Sequence, residues 1–178
     1  MSYLNYTKDY ENFMQLLLRD HKRYLPIVSF VDNVTQQHSE LTWQEREYIA
    51  TDISRINGSG FCAGIHNSVA NALRRASQNI NNKRLEPIVE LARKFNDKTH
   101  TVQETDLQAA RDSGWSDQTI EDVAGLVAII NFYNSLAKSL GFKALPSKIF
   151  DEMGAGTIQM HGYEPMFHHY INENSQAR

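Results

Sequence analysis

Cysteine is nearly absent from this 178-residue sequence, which carries only Cys62. That excludes an intrachain disulfide and any Cys-x-x-Cys zinc or redox pair, and it points to a reducing compartment. Charge of one sign is also missing: 18 Lys and Arg stand against 21 Asp and Glu, for a net charge of -3 and a sequence pI of about 6.1. Without a basic footprint, nucleic acid is not an expected partner. Long apolar runs are lacking too. The most apolar stretch, Val123 to Phe132, is broken by Gly125 and Asn131, well short of the roughly 20 residues that span a bilayer, so no membrane is expected. The opening MSYLNYTKDYENF has neither a basic nor an apolar leader region, so no secretion signal is expected and a cytoplasmic location is. No stretch shows β alternation.

What is present fits an all-α globular protein, with 41% hydrophobic and 22% charged residues. The length suits one domain, with two small subdomains as the alternative. Its expected parts are N-terminal helices over 1–40, a core over 41–142 and an irregular, Gly- and Pro-interrupted tail over 143–178. Helical spacing marks Asp9 to Arg19 and Tyr24 to Val34, with Pro26 in a first turn. Thr42 and Glu45 form a capping-box signature for a helix from Trp43 to about Arg55, striped by Ile49, Ile53 and Ile56. After the turn formers Asn57-Gly58-Ser59-Gly60, the pattern resumes from Phe61 to Ser77. Asn79 to Lys83 reads as a loop and Pro87 as the opening of a short helix. Thr105 caps Asp106 to Asp112, and Ser116 caps the longest helix, Asp117 to Leu140, with Gly141 beyond its end.

The chemistry concentrates between Thr42 and His66. Cys62 and His66 are four apart and share a helix face. With Ser59 as N-cap, Cys62 falls at the third helical position, where free N–H groups and the helix dipole favour a thiolate. His66 can exchange a proton with the sulfur, and Glu47 on the preceding helix can orient it or relay protons. Plainer readings stand beside each: an inert buried thiol, a cap, and a solvated carboxylate in the run Glu45-Arg46-Glu47. Trp43 reads as packing a helix start. In the tail, His161, His168 and His169 near Glu164 fit no zinc spacing, and neither a metal nor a cofactor is expected.

This stretch resembles the core motif of the alkylhydroperoxidase AhpD and carboxymuconolactone decarboxylase superfamily, more closely its branch of uncharacterised peroxidase-related proteins. Arg46-Glu47 precedes Asn57-Gly58, Ser59 falls on the family's first motif cysteine, Cys62 on the second and His66 on the histidine. Gly114-Trp115-Ser116-Asp117, Asn131-Phe132-Tyr133-Asn134 and Gly141-Phe142 are similar to the branch's second-half pattern. The resemblance covers about Leu41 to Phe142. It implies an AhpD-like helical fold and a homo-oligomer (trimer, hexamer or dimer). It also implies a relay in which Cys62 attacks a hydroperoxide while His66 and Glu47 move the proton.

Ser59 departs from that pattern, because a serine cannot resolve a sulfenic acid as a disulfide. Ser135 also departs, standing where the branch has an arginine. The expected function is therefore a one-cysteine, thiol-dependent peroxidase-type oxidoreductase. Cys62 would be the nucleophile, His66 and Glu47 the proton partners and Ser59 the cap and donor to the sulfur, with an external thiol as reductant. The alternatives are a non-redox lyase or hydrolase acting on a small organic substrate through His66 and Glu47, and an oligomeric binding protein with a relict site.

Overall fold

The computed structural model describes residues 2–36, 39–76 and 82–176. Among them a 3-10 turn, Asn5–Thr7, is followed by nine α-helices and no strand. These are α1 (Phe13–Arg19), α2 (His21–Gln36), α3 (Trp43–Ile56), α4 (Gly60–Ala76), α5 (Asn82–Asn96), α6 (Glu104–Asp112), α7 (Asp117–Ser139), α8 (Ser147–Gln159) and α9 (Tyr163–Gln176).

Local signals fix several ends. Thr42 accepts from the Glu45 amide at 3.2 Å while the Glu45 carboxylate accepts from the Thr42 amide at 2.8 Å, the full capping box expected at α3. Ser116 caps α7 through the Thr119 amide at 3.2 Å. Asn57 closes α3, and Gly58, at φ +67°, makes the left-handed step that turns the chain into α4. Thr105 is not a cap: α6 starts one residue earlier, behind Gln103. Pro26 and Pro87 lie inside α2 and α5 instead of opening them. Of the loop expected over Asn79 to Lys83, residues 79–81 lie outside the described residues, as does Ser77, and α5 already runs from Asn82.

α3 and α4 form a hairpin against the long α7, whose Val123, Leu126, Ile130 and Ala137 are fully buried. Arg46 anchors α3 from inside. Its guanidinium donates to the carbonyls of Leu41 (3.2 Å) and Val34 (2.7 Å), to Ser39 (2.6 Å) and to Asp122 (2.9 Å), with none of its surface exposed.

The expectation of an irregular tail is wrong. Residues after Phe142 form α8 and α9, which return across the molecule to pack on α4 and on α2. Gly154, which looks like a breaker, is a contact point: a Cβ there would lie 2.4 Å from Ser68 Oγ. Gly64 on α4 likewise leaves room for the Phe150 ring. The start of α9 is tied to α2, because the Tyr163 amide donates to Asp32 at 2.6 Å and Ser29 donates to Glu164 at 2.7 Å.

Candidate functional site

Glu47 is not on a solvated face. It is completely buried on α3, and three donors converge on its carboxylate. Trp43, one helical turn earlier, donates its indole N–H at 2.9 Å. His66 Nδ1 lies 2.7 Å from one carboxylate oxygen, and the Tyr163 hydroxyl donates to both at 2.9 and 3.0 Å. The α3–α4 hairpin places Glu47 opposite His66; α9 brings Tyr163 in from 97 positions further along the chain, 3.2 Å from His66 Nδ1. A carboxylate facing Nδ1 holds the proton on that nitrogen and leaves Nε2 as the lone-pair end of the ring.

His66, Tyr163 and Cys62 line one cavity of about 60 Å³ together with apolar side chains that include Phe13, Leu17, Val31, Phe61 and Met166. Tyr133 of α7 also lines it. A space of this size admits a few waters or one small molecule.

Cys62 occupies the third position of α4, as the spacing predicts, but its environment does not produce a low-pKa thiol. Burial pushes the thiol up to about 11, overriding the Ser59 hydroxyl and the Cys62 backbone amide, which favour the thiolate. Only roughly one thiol in ten thousand is then ionised at neutral pH. No hydrogen bond joins Cys62 to His66, although both face the same cavity.

Ser59 precedes α4, and its carbonyl accepts from the Ala63 amide at 2.9 Å. Its hydroxyl, however, makes no hydrogen bond with well-formed geometry to any described residue, so the side-chain cap is not made. The Tyr133 hydroxyl is similarly buried without a partner. Tyr133 and Tyr163 both titrate above the ordinary tyrosine range, first because of burial, so each remains a phenol donor.

Of the four expected residues, Glu47 and His66 are thus tightly bonded to each other, Cys62 shares the cavity with His66, and Ser59 stands at the start of α4 outside the cavity lining. Three aromatic residues complete the surroundings. Trp43 is recognisable from its i, i+4 spacing to Glu47. Tyr163 sits behind Gly162 with Glu164 and Pro165 in the first turn, which are helix-start signals. Tyr133 lies on the buried stripe of α7 and has no local signal of its own. Ser135 lines a separate polar cleft of about 400 Å³ with Lys98, Asn131 and Lys138, the last bonded to the Asn57 carbonyl. His168 and His169 pair with Glu164 at 3.6 Å and Glu173 at 3.2 Å on the half-exposed face of α9, and no three metal-ligating side chains cluster among the described residues.

No protein-family model matches the chain, and no curated protein matches it. Among the solved structures that share its fold are two peroxidase-related proteins. One is the alkylhydroperoxidase AhpD core, an uncharacterized peroxidase-related protein from Ralstonia eutropha JMP134, 24% identical over 78% of each chain with a TM-score of 0.64. The other is an uncharacterized peroxidase-related protein from Silicibacter sp. TM1040, 19% identical over 78% of this chain and 77% of that one, with a TM-score of 0.67. The chain therefore has the AhpD-like helical fold.

Proposed function

We propose that this chain is a thiol-dependent, peroxidase-type oxidoreductase that works through Cys62 alone. The observation that carries the reading is the convergence of the single thiol and a carboxylate-backed histidine on one apolar cavity. A thiol held neutral by burial needs a base at the moment of reaction, and the Nε2 end of His66 is suited to that role while Glu47 steadies the resulting imidazolium. Tyr163 and Trp43 hold Glu47 in place. The sulfur attacks one peroxide oxygen, an S–O bond forms as the O–O bond breaks, and the proton leaving sulfur goes to the alkoxide. The sulfenic acid formed has gained the oxygen, and the hydroperoxide leaves as its alcohol. A first external thiol then forms a mixed disulfide with release of water, and a second restores Cys62 as the free thiol. Ser59, in place of a second cysteine, leaves the return to that external reductant.

The test is peroxide consumption with a small thiol as reductant. The reading expects turnover by the wild type and none by Cys62→Ser; equal rates would refute it. The raised thiol favours a second reading, in which His66 and Glu47 perform acid–base chemistry on a small organic substrate and Cys62 only packs. There, Cys62→Ser keeps activity and Glu47→Gln loses it. We also infer a homo-oligomer, trimer, hexamer or dimer, supported by the exposed aromatics Phe30, Tyr48 and Phe132; sedimentation of a monomer at micromolar concentration would exclude it.

A further inference from the structure

A buried hydroxyl without a partner is destabilising and calls for an explanation. The Tyr133 hydroxyl is such a group, on a residue only 8% exposed. It is held in place by its ring, which packs edge-to-face on Phe13 at 6.2 Å and on Phe132 at 5.5 Å, so it cannot swing to another acceptor without repacking the core. Of the four polar side chains on the cavity, Tyr163 and His66 are committed to Glu47, and Cys62 is the sulfur itself. Tyr133 is the remaining donor. It lines the same cavity as Cys62, yet it makes no hydrogen bond to that sulfur.

We propose that Tyr133 is a catalytic residue that binds the peroxide, donating its hydroxyl hydrogen to the oxygen that departs when Cys62 attacks. This rests on the peroxidase reading above. In that step Cys62–SH and ROOH become Cys62–SOH and ROH. Sulfur loses two electrons, the O–O bond takes them, and negative charge gathers on the departing oxygen before the proton arrives from His66. A fixed donor in an apolar cavity stabilises that charge without reorganising, which is where a single hydrogen bond acts most strongly on a barrier. The phenol does not give up its proton; it holds the departing alkoxide until His66 delivers one. The same donor also selects the substrate's orientation, with the departing oxygen toward α7 and the attacked oxygen toward α4.

The experiment compares wild type and Tyr133→Phe in two reactions of Cys62: sulfenic-acid formation with cumene hydroperoxide, read by a sulfenic-acid trap, and alkylation by iodoacetamide, which has no departing oxyanion. Tyr133→Phe keeps the ring contacts and removes only the unpaired hydroxyl, so its thermal midpoint is expected to equal or exceed that of the wild type. The sulfenylation rate is expected to fall by about tenfold or more, with alkylation kept within about threefold. A smaller fall in sulfenylation, or an equal fall in both reactions, overturns the role of Tyr133 and leaves the peroxidase reading intact. If wild-type Cys62 forms no sulfenic acid while it is still alkylated, the peroxidase reading fails and the role of Tyr133 fails with it.

Discussion

Two glycines in α8, two residues apart, are expected to respond oppositely to alanine. At Gly154 a Cβ would meet Ser68 Oγ at 2.4 Å and the Ser68 carbonyl carbon at 2.9 Å. Because backbone is among the obstacles, no rotamer change relieves the clash, and α8 must move away from α4. Overpacking of this kind costs about 1–3 kcal/mol. The Ser68 hydroxyl also donates to the Phe150 carbonyl at 2.6 Å, and losing that bond adds about 1 kcal/mol. Helix propensity returns about 1 kcal/mol, so Gly154→Ala should be destabilising by about 1–3 kcal/mol. At Gly156 nothing lies within 4 Å of the added carbon, and only the propensity gain remains. For a chain of this size, at roughly 2–4 °C per kcal/mol, Gly154→Ala should lower the thermal midpoint by about 2–12 °C and Gly156→Ala should raise it by about 2–4 °C. Far-UV circular dichroism on melting is the assay. If the two variants shift in the same direction, or if Gly154→Ala melts with the wild type, α8 does not pack on α4 as described.

Other expectations follow from the site and its supports. Tyr163→Phe removes a hydrogen bond to a buried carboxylate and should cost about 1.5–3 kcal/mol in urea unfolding; an unchanged midpoint would mean that α9 is not docked through Glu47. Arg46→Ala leaves the carbonyls of Leu41 and Val34 without their donor and should cost roughly 3 kcal/mol or more by the same measurement, whereas a solvated arginine would cost almost nothing. The folded thiol ionises near 11 instead of at its ordinary value of 9.0, so between those values the folded protein holds a proton that the unfolded chain has released. Stability should therefore fall as pH rises through that window, by roughly 2–3 kcal/mol in total, and Cys62→Ala should remove that share. An identical alkaline profile for the variant would place the thiol in an ordinary environment.

Local determinants are the parts of this structure that can be read from the sequence. The capping box of α3, the Ser116 cap of α7 and the Gly58 turn depend on residues within a few positions of each other, and each sits where spacing puts it. Cys62 and His66 are on the face expected from their separation. What the order of residues hides is burial. Little in the local order marks Glu47 and Arg46 as interior beside the exposed Tyr48, since several of their partners come from α2, α4, α7 and α9. The direction of the Cys62 shift is hidden for the same reason: the helix terminus that favours the anion is a local feature, while much of the apolar wall that opposes it comes from α1, α2, α8 and α9. The tail misleads because Gly154 is a contact with α4 and Pro165 belongs to a first helical turn, so neither residue interrupts its helix. Yet Ile149, Phe150, Met153 and Ile158 already carry a helical period in that stretch.

The central claim is that a buried, neutral Cys62 becomes a nucleophile toward peroxide through His66 and Glu47. The most direct measurement is mass spectrometry of the protein treated with hydroperoxide in the presence of a sulfenic-acid trap, for wild type and for His66→Ala. The account predicts one adduct on the wild-type chain, mapped to Cys62, and its loss or strong slowing in the variant. An unmodified wild-type chain, or equal modification without His66, would contradict it.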